Sequence, residues 1–152
     1  AAWRPIDDVV MGGVSRSSFT QSARGIASFS GLVSLDHGGG FASVRTQARV
    51  WPTAGAAAFV LRCRGDGGSY KFTVRVDDGF DCVQYQARFA PPRGEWTTVV
   101  LTLAEFVASY RGRPVPGARP LDLAQVRQLG LVISDRQAGP FELLVDWIGV
   151  AP

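Results

Sequence analysis

An all-β sandwich is what this sequence predicts, and three observations predict it. Every long periodic segment alternates apolar and polar residues with period two, the pattern of half-buried strands. Clusters of glycine, proline and aspartate punctuate these segments at short intervals. Helical patterning is confined to one or two short turns. At 152 residues and 46% hydrophobic, the chain suits one domain, 1–152, with a sizeable core.

The elements follow in order. Asp7-Asp8-Val9-Val10-Met11-Gly12-Gly13-Val14-Ser15 reads as a tucked loop, because paired glycines permit positive φ and close backbone approach. Val9, Val10 and Met11 plug it, and it holds Asp8 and Ser15 in place. Ser17 to Thr20 forms a short strand and Ile26 to Leu35 the first long one. Asp36 to Gly40 turns the chain, since three glycines do not sit inside a strand. In the strand from Phe41 to Val50, Ala42, Val44, Ala48 and Val50 point one way and Ser43, Arg45, Gln47 and Arg49 the other. A turn at Pro52–Gly55 leads to a strand from Ala56 to Arg64. Gly65-Asp66-Gly67-Gly68 reads as a hairpin turn into Tyr70–Val76, and Asp77–Asp81 as a second turn into Val83–Phe89. Pro91–Gly94 breaks the run before a strand from Trp96 to Leu103, with a single helical turn over Leu103–Val107. Tyr110 to Leu121, with three arginines and three prolines, is a long irregular loop. Asp122 N-caps a short helix to Gln128, and Leu129–Ile133 and Phe141–Val150 are the last strands.

Composition narrows the function. Net charge is +3 and Lys71 is the only lysine. No basic run is interleaved with stacking aromatics, so no nucleic-acid partner is expected. No apolar run approaches the ~20 residues of a membrane span, so no membrane insertion is expected. Cys63 and Cys82 could face each other across paired strands, but spacing alone does not give the distance a disulfide requires; two reduced thiols of a cytoplasmic protein are the default reading. The chain begins Ala-Ala, which leaves open a leader removed before it. With His37 the only histidine, neither a zinc site nor any cofactor is expected. Asp77, Asp78 and Asp81 are a weak candidate for Ca²⁺, against ordinary Asp-Asp-Gly turn chemistry. Arg64-Gly65-Asp66, the tripeptide of integrin ligands, reads here as a turn. Nucleophilic catalysis is poorly served: Gly13-Val14-Ser15-Arg16-Ser17 misses the last glycine of the nucleophile elbow, and His37 beside Asp36 is the only imidazole base.

The polar parities suggest a site. With the strands from Phe41, Ala56, Tyr70 and Val83 taken as neighbours, their non-core face carries Ser43, Arg45, Arg62, Lys71, Arg75, Gln84, Gln86 and Arg88. A solvated surface is the plain reading. The functional one is a concave basic site for an anionic or polyhydroxyl ligand, with Asp8, Asp135 and Gln137 reaching in from flanking loops. Arg45, Arg88, Asp8 and Asp135 are then expected to form one coupled cluster, because the planar guanidinium pairs bidentately with carboxylates. The Arg111, Arg113 and Arg119 loop is a candidate for docking a partner, against the plainer reading of a solvated connection.

Five segments in register resemble a known family. These are Asp7–Ser15, with its Val-Met-Gly-Gly-Val-Ser core; Gly39-Gly40-Phe41-Ala42-Ser43-Val44-Arg45; Arg64-Gly65-Asp66-Gly67 followed by Tyr70; Tyr85-Gln86-Ala87-Arg88-Phe89 before Trp96; and Ser134-Asp135-Arg136-Gln137-Ala138-Gly139-Pro140-Phe141. Together they resemble the complex I intermediate-associated protein 30 family over nearly the whole chain, and a bacterial member is expected. The resemblance implies a jelly-roll β-sandwich like galactose-binding domains, and a non-enzymatic role in assembling respiratory complex I. The family's motifs fall on Asp8, Ser15, Arg45, Gln86, Arg88, Asp135 and Gln137. Expected partners are therefore respiratory-complex subunits or a small polar or anionic ligand. Any contact with the membrane would run through a partner. The alternative is a jelly-roll carbohydrate-binding module, although Phe59, Phe72 and Tyr85 fall on the core parity and not on an exposed stacking platform. A hydrolase is third.

Overall fold

The computed structural model describes residues 3–5, 7, 15–22, 24–36, 40–76, 83–110 and 113–152. Asp8 and the apolar plug behind it, His37, Asp77, Asp78, Asp81, Cys82 and Arg111 lie outside them. Twelve strands are described: β1 (Trp3–Pro5), β2 (Arg16–Gln21), β3 (Ala27–Val33), β4 (Ala42–Thr46), β5 (Ala58–Arg64), β6 (Tyr70–Arg75), β7 (Gln84–Phe89), β8 (Trp96–Thr102), β9 (Val107–Tyr110), β10 (Arg113–Pro114), β11 (Gln128–Ile133) and β12 (Gly139–Ala151). They form a jelly-roll-like sandwich of a seven-stranded sheet, ordered β1-β4-β11-β6-β7-β9-β10, and a five-stranded sheet, ordered β2-β3-β12-β5-β8. All strand pairings are antiparallel.

Alternation sets what is buried. Phe59, Leu61 and Cys63 on β5, Tyr70, Phe72 and Val74 on β6, and Tyr85, Ala87 and Phe89 on β7 all face the core. Aromatic rings join the sheets: Phe29 of β3 packs edge-on against Tyr70 at 6.3 Å, and Phe59 lies tilted against Phe72 at 4.9 Å, geometries that suit the ring quadrupole. Cys63 is a free, buried thiol, and burial pushes it up to about 11, which makes it a packing residue and a poor nucleophile.

Several expectations need correction. β4 stops at Thr46, and residues 47–50 are exposed. Val50, assigned to the core parity, is 73% exposed. Arg49 N–H instead bonds Arg127 O at 2.9 Å, so this segment follows the chain before β11. β1 was not anticipated; three residues are too few to show a period. The loop expected from Tyr110 to Leu121 contains the β9–β10 pairing, Arg113 opposite Tyr110. The helix expected from Asp122 to Gln128 is only a 3-10 turn, Leu123–Gln125, although Asp122 caps it, accepting from Ala124 N–H at 2.9 Å. The turn after β8 is likewise 3-10, Leu103–Glu105, closed by Glu105 accepting from Thr102 N–H.

The largest correction concerns β5. The Gly65–Ser69 connection is not a hairpin, because it carries the chain from the five-stranded sheet to the seven-stranded one. Arg62 therefore lies on the other sheet, beside Asp146 at 3.9 Å and Trp96, and leaves the basic face predicted for it. β11 takes the place assigned to β5, between β4 and β6.

Candidate functional site

The outer face of the seven-stranded sheet is built from rows of residues in register. One row runs Arg4, Arg45, Gly130, Thr73, Gln86, Val107 across β1, β4, β11, β6, β7 and β9. The next runs Ser43, Val132, Lys71, Arg88. Arg75 lies beyond Thr73 on β6 and donates from Nη2 to Gln84 Oε1 at 3.4 Å. Gly130 is a glycine for a packing reason: a Cβ there would overlap Thr73 Oγ1 and come within 3.0 Å of Val44 O. In the middle of the row the Thr73 side chain fills the space over Gly130, and Ser43, Thr73 and Arg75 are buried.

A fixed charge cluster stands at the Arg88 end. Asp135 and Arg136 follow β11 in the left-handed region, φ +61° and +59°, a conformation uncommon outside glycine. The turn is held by Gln137. Its Nε2 donates to Ser69 O and Ser134 O at 2.8 and 2.7 Å, and its Oε1 accepts from Ser69 N–H at 2.8 Å. So anchored, Asp135 accepts from Lys71 Nζ at 3.4 Å and pairs with Arg88, while Lys71 also donates to Ser134 Oγ at 3.1 Å. Burial opposes ionisation of Asp135, but the Arg88 hydrogen bond and the Lys71 and Arg88 charges outweigh it and hold the carboxyl below the usual carboxylate range.

The sign of the pH effect follows. A depressed carboxyl stabilises the fold above its unfolded value, near 3.9, and that contribution disappears as pH falls through the lower folded value. The stability difference between the native chain and Asp135→Asn is therefore expected to be small but constant at neutral pH and to vanish in strong acid. Urea melts at pH 7 and at acid pH measure it; a difference that grows on acidification refutes the assignment.

The predicted residues divide into two groups. Arg88, Asp135 and Lys71 meet, and Arg45 and Gln86 share their face. Arg45 on β4 stands three strand spacings, about 14 Å, from Arg88 on β7, and Asp8, expected between them, lies outside the described residues. Gln137 and Ser15 are committed to holding backbone. Ser15 is fully buried; its Oγ donates to Ser34 O at 3.2 Å and accepts from Ser34 N–H at 2.9 Å, locking the chain entering β2 to the end of β3. Of the loop arginines, Arg113 lies on the β10 edge and Arg119 is exposed, its carbonyl accepting from Tyr85 OH at 2.6 Å. That loop overhangs a cleft of about 440 Å³ lined by Leu103, Phe106 and Val115 among others.

Two carboxylates that reasoning from the sequence passed over do more to organise the site. Asp7 accepts from Ser17 N–H and Oγ at 2.9 and 2.6 Å and from Ser43 N–H at 3.0 Å, joining β2 of one sheet to β4 of the other. Asp66 accepts from Gly68 N–H and Tyr70 OH, both at 2.9 Å, and from Glu142 N–H at 2.8 Å. Burial, with Asp66 beside it, pushes the Tyr70 hydroxyl upward. Asp66 sits in one of the family motifs and Asp7 in another, a signal that pointed to both.

Comparison with known proteins agrees with the motifs. The model of the family described as complex I intermediate-associated protein 30 matches residues 1–145. The chain belongs to the complex I intermediate-associated protein 30 family. Within curated proteins it is 29% identical to an uncharacterised protein of Schizosaccharomyces pombe, over 99% of this chain and 78% of that one. It is 27% identical to the mitochondrial complex I intermediate-associated protein 30 of Neurospora crassa, over 88% of this chain and 54% of that one. With the Mus musculus protein it shares 35% identity over 59% of this chain and 29% of that one. The chain thus spans about half, or less, of these two relatives that carry the family's name. Among solved structures, the family 11 carbohydrate-binding module of a Clostridium thermocellum cellulase superposes with TM-score 0.70 at 14% identity, covering 99% of this chain and 88% of that one. An exo-β-agarase superposes with TM-score 0.58 at 10% identity, covering 99% of this chain and 23% of that one. At such identities the likeness is one of fold. Among the described residues no helix is long and apolar enough to cross a membrane, and no three His, Cys, Asp or Glu side chains group as metal ligands would.

Proposed function

We propose that this member of the complex I intermediate-associated protein 30 family is a binding module without catalytic chemistry of its own. It holds a subunit of a respiratory complex during assembly, and docks it on the outer face of the seven-stranded sheet. Arg45, Gln86, Arg88 and Asp135 make the contact. The observation that carries this reading is the Lys71–Asp135–Arg88 cluster, fixed by the Gln137-stapled turn at the end of the face. Arg88 is 58% exposed on its side chain, so it adds little to stability and its guanidinium is presented, pre-oriented, to an acidic or polar partner surface. The relatives' printed names support the choice of partner. The carbohydrate-binding alternative has the fold in its favour, but Phe59, Phe72 and Tyr85 are buried in the core and supply no stacking platform on this face.

Affinity purification from the native host tests the proposal. The native chain is expected to retain respiratory-complex subunits, and the folded Arg45→Glu/Arg88→Glu variant to lose them, because reversing charges opposes the same partner surface. Retention of the same proteins by the variant, or capture of polysaccharide in place of protein, would remove the proposal.

A further inference from the structure

The four sheet edges are not equally protected. β1 has three residues and ends at Pro5. β10 is only Arg113–Pro114. β2 opens on Arg16 and is tied across to the other sheet by the Asp7 carboxylate. Short strands, prolines and charges are how proteins keep edges from pairing with other chains. β8 has none of these. Its seven residues, Trp96-Thr97-Thr98-Val99-Val100-Leu101-Thr102, carry no charge and no proline. They pair with β5 in unbroken register from Arg64–Trp96 to Ala58–Thr102, so no bulge twists the edge away. Among the described residues nothing hydrogen-bonds its other side except Glu105, which caps Thr102 N–H at the end of the strand. Val100 is 51% exposed and stands in an apolar row with Val60 and Gly149, while Arg62 and Arg64 stand opposite Thr98 and Trp96.

We propose that β8 is a dimerisation edge and that its occupant is β8 of a second copy of this chain, paired antiparallel about a two-fold axis at Val99. The strand is self-complementary. Pairing up to Leu101, short of the Thr102 N–H that Glu105 holds, places Thr97 opposite Leu101, Thr98 opposite Val100 and Val99 opposite itself. Every facing pair is uncharged and joins threonine or aliphatic side chains, the types that favour cross-strand contact. A two-fold contact of this kind closes on itself, so it yields a dimer and not a fibre. The two five-stranded sheets become one continuous sheet.

Sedimentation velocity across a concentration series reads the assembly. The native chain is expected to show a concentration-dependent species of twice 16.3 kDa. In Thr98→Lys/Val100→Lys each new cation faces one from the other copy, and that variant is expected to be monomeric. Thr98→Glu/Val100→Lys sets opposite charges against each other across the axis and is expected to dimerise again. Val107→Lys, an equally exposed valine on the other sheet, leaves the dimer intact. Hydrogen exchange on the native chain adds a reading that needs no variant: alternate amides of 97–101, those not bonded to β5, slow down as concentration rises. A native chain that is monomeric throughout, or a dimer that survives the double lysine variant, overturns the proposal. So does failure of the charge-swapped variant to dimerise, or exchange of those amides that ignores concentration.

Discussion

Gly31→Ala is expected to destabilise the fold by about 3–5 kcal/mol, combining overpacking with a strained backbone. Gly31 lies mid-strand in β3, between Ser17 of β2 and Phe141 of β12. Its φ of +156° is one that L-residues rarely adopt, and a Cβ would overlap Arg16 O and lie 2.8 and 2.9 Å from Ser17 Cα and Arg16 C. These are backbone atoms of a paired strand, so no rotamer change relieves the clash and β2 must move. Moving β2 also disturbs Ser17, which carries two of the three hydrogen bonds to Asp7. Urea unfolding with circular dichroism measures the loss. A variant within ~0.5 kcal/mol of the native chain, the range of innocuous surface changes, would show that the close approach of β2 to Gly31 is wrong.

Asp7→Ala is expected to cost about 2–4 kcal/mol, since hydrogen bonds to a charged group contribute about 1.5–3 each and stranded buried donors carry a further penalty. For a chain of this size that is a fall of roughly 5–15 °C in melting temperature. The carboxylate is the shared acceptor for two backbone N–H groups, Ser17 and Ser43, in different sheets. Without it both donors must find water in a part-buried seam. Asp135→Ala is the contrast: its partner Arg88 is largely exposed, and such pairs contribute ~0–1 kcal/mol. Thermal melts of the two variants side by side decide the matter. Equal losses would mean that Asp7 is as solvated as Asp135 and does not join the sheets.

How far the site could be read in advance differs from residue to residue. β6 and β7 were legible, because Tyr70, Phe72 and Val74 alternate with Lys71, Thr73 and Arg75, and the short link between them makes them neighbours. Lys71 and Arg88 are therefore expected on one face, and the register, which the pattern leaves open, sets them opposite each other. Arg62 was misplaced because a four-residue glycine-rich connection reads identically whether it closes a hairpin or turns a corner between sheets. Asp66, bonded to Glu142 N–H of β12, holds that corner, and no local pattern reveals a contact 76 residues away. Asp7 reaches Ser17 and Ser43, and no local pattern marks it for that; Asp8, the expected site residue beside it, lies outside the described residues. The β9–β10 pairing is hidden by Pro114 and by its length.

By itself the sequence determined the period of each long strand, the face each turns inward, the positions of most breaks, and through five motifs the family. These are local properties: alternation is set by the pleat of a single strand, and turns by the residues within them. The tertiary structure alone decided which sheet each strand joins, which carboxylate bridges the sheets, and that β8 is left with an open edge. Those outcomes depend on which distant backbone groups come within hydrogen-bonding reach once both sheets pack on Phe29, Phe59, Tyr70 and Phe72, and a chain read residue by residue carries no record of that distance.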